Sequence, residues 1–122
     1  MRYTLLIYGD ESAGADAPPE QLEQLMDEYR AYEAWLQERG IKRAGEALQD
    51  TSQATTVRVR DEGAMTTDGP FAETKEQLGG FYLLECDDLD DALEAARRCP
   101  GSTYGSVEVR PVVDFDQMGA PQ

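Results

Sequence analysis

Two segments of this 122-residue chain, residues 2–8 and 80–86, are apolar at odd and even positions alike. In the first, Tyr3, Leu5 and Ile7 fall on one face of an extended strand, and Thr4, Leu6 and Tyr8 on the other. Strands of this kind belong in the interior of a sheet, because either face left in water exposes apolar surface. Any fold for the chain must therefore cover both sides of the same sheet.

The rest of the chain supplies one such cover. Across residues 20–39, Leu22, Leu25, Met26, Tyr29, Tyr32 and Leu36 recur at spacings of three and four, with Pro18 and Pro19 before them and Gly40 after. This predicts a long amphipathic helix. A second helix is predicted over residues 89–98, where Leu89, Ala92, Leu93 and Ala96 form a stripe and Asp88 with Asp91 resembles a capping box. Residues 9–19 (GDESAGADAPP) read as a mobile connection.

Residues 41–48 predict a strand, and residues 49–53 a turn. Residues 55–60 alternate, with Thr55, Val57 and Val59 on a face expected to be buried and Thr56, Arg58 and Arg60 on a wet one. Asp61-Glu62-Gly63 predicts a tight turn with Gly63 at positive φ, and residues 64–67 the returning strand. Residues 106–112 form the last strand, and residues 115–122 a frayed tail of this single domain. Without the hairpin the order is βαββαβ, an α+β ferredoxin-like antiparallel sheet with both helices on one face. A second copy covering the other face implies a homodimer.

Charge narrows the partners. With 25 acidic against 11 basic residues the formal charge is −14, so binding to a phosphate backbone through Lys and Arg is excluded as a function class. The apolar run at the start is too short for a signal-peptide core or a membrane span, and the chain reads as cytoplasmic with no membrane partner. Cys86 and Cys99 lack CxxC spacing and a His partner, and read as small buried hydrophobes.

Residues 67–85 (TDGPFAETKEQLGGFYLLE) concentrate the backbone punctuation. Together with MRYTLLIYGDE, GEALQDTSQATTVRV, the following CDDLDDALEAA and the closing SVEVRPV, this stretch resembles the YCII-related family in its DGPF-motif branch, from Met1 to about Val113. The resemblance implies a dimeric α+β barrel in which ferredoxin-like protomers pack sheet to sheet beside a pocket. Wider-family members carry a proposed catalytic His and Asp pair, and a few relatives act on lactones from aromatic breakdown. This chain has no His, so that pair does not carry over. Branch members are also often encoded beside extracytoplasmic-function sigma factors, which suggests a regulatory setting and a protein partner.

The residues themselves leave two readings for Asp68. An Asx-turn bond to the second residue on is impossible, because Pro70 has no N–H. Asp68 then either accepts from Phe71 N–H as a turn-former, or stands at a cleft edge as a general acid or base. Thr74 and Gln77 have capping-box spacing, predicting one helical turn stopped by Gly79-Gly80, with Glu73 and Lys75 bordering it. Lys75 is either a solvated surface charge, its ion pairs worth at most ~1 kcal/mol, or an anion-binding group. Gly79-Gly80 reads as a bulge or a ligand approach.

Tyr8, Glu46 and Tyr82 join Glu73 and Lys75 as candidate substrate-binding residues bordering one pocket, each equally well core or rim. Trp35, Tyr29 and Tyr32 read as packing groups, and the acidic run from Asp87 to Asp91 as a helix cap without calcium-loop spacing. No nucleotide, zinc or hydrolase motif is present, so neither a metal nor a cofactor is expected. Two functions survive: a cofactor-independent enzyme acting on a small anionic or carbonyl substrate through Asp68, and a noncatalytic ligand-binding or regulatory module.

Overall fold

A computed structural model describes residues 1–118. Four strands, β1 (Arg2–Gly9), β2 (Lys42–Ala47), β5 (Gln77–Glu85) and β6 (Ser106–Pro111), form an antiparallel sheet in the order β2-β5-β1-β6. The two doubly apolar strands are its centre, as their composition requires. Helices α2 (Pro19–Arg39) and α3 (Leu89–Arg98) complete the ferredoxin-like βαββαβ arrangement. A hairpin of β3 (Thr55–Arg60) and β4 (Gly63–Asp68) is inserted as a separate two-stranded sheet.

Helix ends follow the local chemistry. Gly40 takes the left-handed conformation at φ 67° and closes α2 with bonds to Leu36 and Gln37 carbonyls. The Asp88 carboxylate accepts from Asp91 N–H at 2.9 Å and starts α3. The hairpin turns through Gly63 at φ 110°.

The core lies between the helices and one sheet face. Tyr3, Leu5, Tyr82 and Leu84 point into it and meet Tyr32 and Leu36 of α2. The α3 stripe contributes Ala92, Ala95 and Ala96, small enough for the helix to lie close, and the Tyr32 hydroxyl donates to Ala95 O at 2.7 Å. Trp35 stacks with Tyr32 and is flanked by the guanidinium groups of Arg39 and Arg98 at 4.8 and 4.7 Å, a packing role. On the opposite sheet face Thr4, Leu6, Phe81 and Leu83 are half-buried.

Several expectations are corrected. Residues 9–19 contain a helix, α1 (Glu11–Ala15), capped by Asp10 accepting from Ser12 N–H at 2.9 Å. It is pinned rather than loose: Thr51 donates to both Glu11 carboxylate oxygens at 2.8 and 2.7 Å, and Glu11 N–H donates to Gln77 Oε1 at 3.0 Å. The predicted helical turn after Thr74 does not form, because Gln77 and Leu78 pair with Gly9 and Tyr8 in the ladder. A lone turn offers too few hydrogen bonds to compete with sheet pairing.

Val57 and Val59 are 62% and 68% exposed instead of buried, since the hairpin does not join the main sheet. A further turn of helix, α4 (Gly101–Tyr104), follows Pro100. Phe115–Met118 form α5, where a frayed tail was expected; the remainder of that tail lies outside the described residues. Among the described residues no helix is long and apolar enough to cross a membrane.

Candidate functional site

A cavity of about 700 Å³ opens between the sheet and the N-terminal half of α2, with α1 across its end. Three features of the sequence create it. The polar 10–17 segment places α1 along one end of the cavity, α2 begins well before its first buried residue, Tyr32, and glycines thin the strand wall at Gly45, Gly79 and Gly80. Leu22 and Leu25 belong to the predicted apolar stripe but line this cavity; Leu22 and Met26 remain 49% and 56% exposed.

The strand wall has little room for side chains. A Cβ on Gly45 would lie 2.7 Å from Tyr82 Cδ1, and one on Gly80 would lie 2.9 Å from Glu46 O. The ladder slips between Ile7 and Tyr8 opposite Gly79, so the double glycine is a bulge, as one of its two readings held.

The most organised polar group on the wall joins α2 to the sheet. The Tyr82 hydroxyl donates to Glu33 Oε1 at 2.9 Å, and Lys42 Nζ donates to Glu33 Oε2 at 2.8 Å and Oε1 at 3.1 Å. Tyr82 and Glu33 line the cavity, while Lys42 backs the carboxylate from β2. The Lys42 ammonium also lies 5.4 Å from the Tyr82 ring centroid. Burial, reinforced by the hydrogen bond to Glu33, drives the Tyr82 phenol well above the ordinary tyrosine range.

Tyr29 shares the wall and is raised in the same direction, by burial first and then by Cys99, whose Sγ lies 3.9 Å from its hydroxyl. At the α1 end Asp10 is held below the usual carboxylate range, chiefly by hydrogen bonds from Ser12, with a small contribution from the Lys75 charge. Among the described residues no three His, Cys, Asp or Glu side chains converge as metal ligands would.

The sequence candidates divide into two groups. Tyr8, Glu46 and Tyr82 all line the cavity. Asp68, Glu73 and Lys75 do not. Asp68 is the last residue of β4, exposed and in register with Thr55. Among the described residues Phe71 N–H makes no bond to Asp68, so the turn-former reading lacks the bond it required. Instead Thr56 Oγ1 donates to Gly69 O at 2.8 Å and Arg58 to Phe71 O at 3.0 Å, so β3 side chains hold the Asp-Gly-Pro-Phe carbonyls. Gly69, at φ 100°, supplies the left-handed residue this turn needs.

Sequence reasoning missed Glu33, Lys42, Glu11 and Gln77. A signal existed for Glu33: it stands four residues after Tyr29, a position on the apolar stripe, where a carboxylate needs a partner. Nothing local marked Lys42, and Gln77 stood out only for its capping-box spacing with Thr74; the roles of both depend on strand pairing.

Comparison with known proteins agrees with this architecture. The chain is 40% identical over 114 residues to an uncharacterized protein of Rhizobium meliloti (strain 1021), covering 92% of each. Its fold is similar to that of 5-chloro-2-hydroxyhydroquinone dehydrochlorinase from Burkholderia phenoliruptrix AC1100, solved in complex with 2,5-dihydroxybenzoquinone. That likeness has a TM-score of 0.52 at 14% identity and covers 96% of this chain and 98% of the other. The model of the YCII-related domain matches residues 1–116, and the chain belongs to the YCII-related family.

Proposed function

We propose that the protein is a cofactor-independent enzyme that moves a proton on a small cyclic substrate held in the cavity beside α2. The observation that carries this reading is the Tyr82–Glu33–Lys42 cluster on the wall of a cavity of about 700 Å³, a volume within the usual range for small-molecule sites. Glu33 is the general base: its carboxylate takes a proton from an activated position of the substrate and returns it at another. The net change is an isomerisation that consumes no co-reactant. Lys42 fixes the carboxylate in place, and the Tyr82 phenol, kept protonated by its burial, remains a donor throughout.

The dehydrochlorinase with a similar fold handles a compact hydroxylated ring, and rings of that size set the scale of the first substrate panel. Replacing Glu33 by Gln, with turnover measured against that panel, tests the assignment; unchanged turnover on any confirmed substrate would end it.

A second copy fits this reading as the cover of the half-buried sheet face that carries Leu6, Phe81 and Leu83. The exposed Val57, Val59 and Phe71 favour the same assembly, because the hairpin presents apolar surface in the isolated chain. Asp68 lies on the Val57 and Val59 side of that hairpin, so as an acid or base it would act at the contact between copies. That placement leaves it a second reading, separate from the cavity.

A further inference from the structure

We infer that the Tyr29 hydroxyl is the donor that binds substrate oxygen in the cavity: it holds the carbonyl oxygen of a neutral ring compound while Glu33, one helical turn further along α2, moves the proton of the adjacent carbon. The inference deepens the proton-transfer reading proposed above and rests on it. Sequence spacing gives Tyr29 a packing role, which its ring fills and its hydroxyl does not.

The position of the hydroxyl comes first. Tyr29 is half-buried against the core and lines the cavity. Its polar end lies at the wall, because a Cβ on Gly101, which lines the same space, would be 3.0 Å from the hydroxyl oxygen. Residues four apart on a helix share a face. Tyr29 and Glu33 therefore turn toward the cavity together.

The neighbouring phenols are already committed. Tyr82 donates to Glu33 at 2.9 Å, and Tyr104 to the two Glu28 carboxylate oxygens at 3.1 and 3.2 Å. Tyr8 turns its side chain to the other sheet face, in step with Thr4 and Leu6. Tyr29 differs from all three. Among the described residues the one side chain within bonding reach of its hydroxyl is Cys99, with Sγ at 3.9 Å, and sulfur is a weak acceptor. A half-buried hydroxyl with so poor an acceptor gains from any oxygen that enters the cavity. Burial raises this phenol above the ordinary tyrosine range, so it meets a ligand as a protonated donor.

Glu33 retains the capacity the step needs. Its Oε1 accepts from Tyr82 and Lys42 and its Oε2 from Lys42 alone, which leaves Oε2 a site for an incoming proton. The C–H bond beside the carbonyl breaks, its proton passes to Glu33, and its electron pair forms the C=C bond of an enolate. Negative charge gathers on the carbonyl oxygen, where a donor fixed in advance stabilises it most. Where a second double bond is conjugated to the enolate, return of the proton at the far carbon completes the isomerisation. The remainder of such a ligand is apolar, since Ile7, Ala13, Leu22 and Leu25 share the lining.

Two probes test the inference on the full chain: 1-indanone labelled with carbon-13 at its carbonyl, and indane, which lacks the oxygen. Both are titrated into the parent protein, Tyr29→Phe and Tyr82→Phe, and followed by NMR. In the parent the bound carbonyl signal should lie downfield of its position in cyclohexane, with ligand protons in contact with the Tyr29 ring. Tyr29→Phe should remove that shift and weaken indanone by about fivefold while leaving indane unchanged, and Tyr82→Phe should keep the shift. Absence of indanone binding to the parent, a shift that survives Tyr29→Phe, or equal weakening of indane would each overturn the inference. Should Tyr29→Phe lose the native circular dichroism signal, the parent alone decides: a downfield carbonyl together with Tyr29 contacts upholds the inference, and loss of either overturns it. Failure of the proton-transfer reading looks different: the Tyr29-dependent shift would persist, while Glu33→Gln would retain full turnover of a confirmed substrate.

Discussion

The Tyr82 hydroxyl and the Glu33 carboxylate, 49 positions apart in the chain, meet at 2.9 Å across the gap between a central strand and α2. Their pairing couples packing to chemistry. The Tyr82 ring meets Tyr32 edge-on at 5.5 Å inside the core, while its hydroxyl reaches the cavity wall. Glu33 is thereby placed at the boundary between the apolar interior and the cavity, where the proposed proton exchange would take place.

Glu33→Gln should lower turnover by about 100-fold or more, since an amide cannot take up the proton. Thermal stability should change little because Gln still accepts from Tyr82 and its side chain is half-buried. Tyr82→Phe should cost about 1 kcal/mol of stability for the lost hydrogen bond and should reduce turnover less than Glu33→Gln. Parallel melting curves and steady-state kinetics on the same preparations check both.

Asp68→Asn tests the hairpin alternative. Asn keeps an acceptor oxygen and suits the same turn, and the turn is held by Thr56 and Arg58 in any case. Turnover should stay within about twofold of the parent if Glu33 is the base. A 100-fold loss with unchanged melting, on the order expected for removing an acid or base, would move the chemistry to the hairpin.

Gly105→Ala probes the floor of the cavity. A Cβ at Gly105 would lie 2.1 Å from Tyr8 O, a backbone atom that cannot rotate away. The expected cost is about 1–3 kcal/mol, read from urea unfolding, with weaker ligand binding because Tyr8 and Gly105 both line the cavity.

Alkaline pH should unfold the protein. Tyr29, Tyr32 and Tyr82 are all raised by burial, so their folded forms hold protons that the unfolded chain gives up near pH 10. Above that pH the unfolded state binds fewer protons than the native one, and stability falls as pH rises. Half of the six tyrosines should therefore ionise together with loss of the native circular dichroism signal. Ionisation of all six before any unfolding would contradict the burial of these three phenols.

Light scattering at micromolar protein should give twice the chain mass if a second copy covers the sheet. Charged replacements at Leu6 and Leu83, both half-buried on that face, should shift the equilibrium toward single chains. A folded single chain under the same conditions would remove the second copy from the reading.

Residues 2–8 and 80–86 had only one good place in a sheet, and the spacing of apolar residues in α2 and α3 set which face the helices cover. Those features are local and periodic, so the ferredoxin-like order, the caps at Gly40 and Asp88 and the turn at Gly63 were legible in the sequence. Of the candidate site, Tyr8, Glu46 and Tyr82 were legible as strand positions near one end of the sheet. Tertiary structure decided the rest. Whether Val57 and Val59 are buried depends on which sheet the hairpin joins, and the short α1 is held by partners at Thr51 and Gln77. Above all, Glu33 meets Lys42 and Tyr82 only because α2 packs in one register over β2 and β5. Periodicity specifies which side of an element turns inward, but a site requires atoms from separate elements within about 3 Å, and only the packed core supplies that precision.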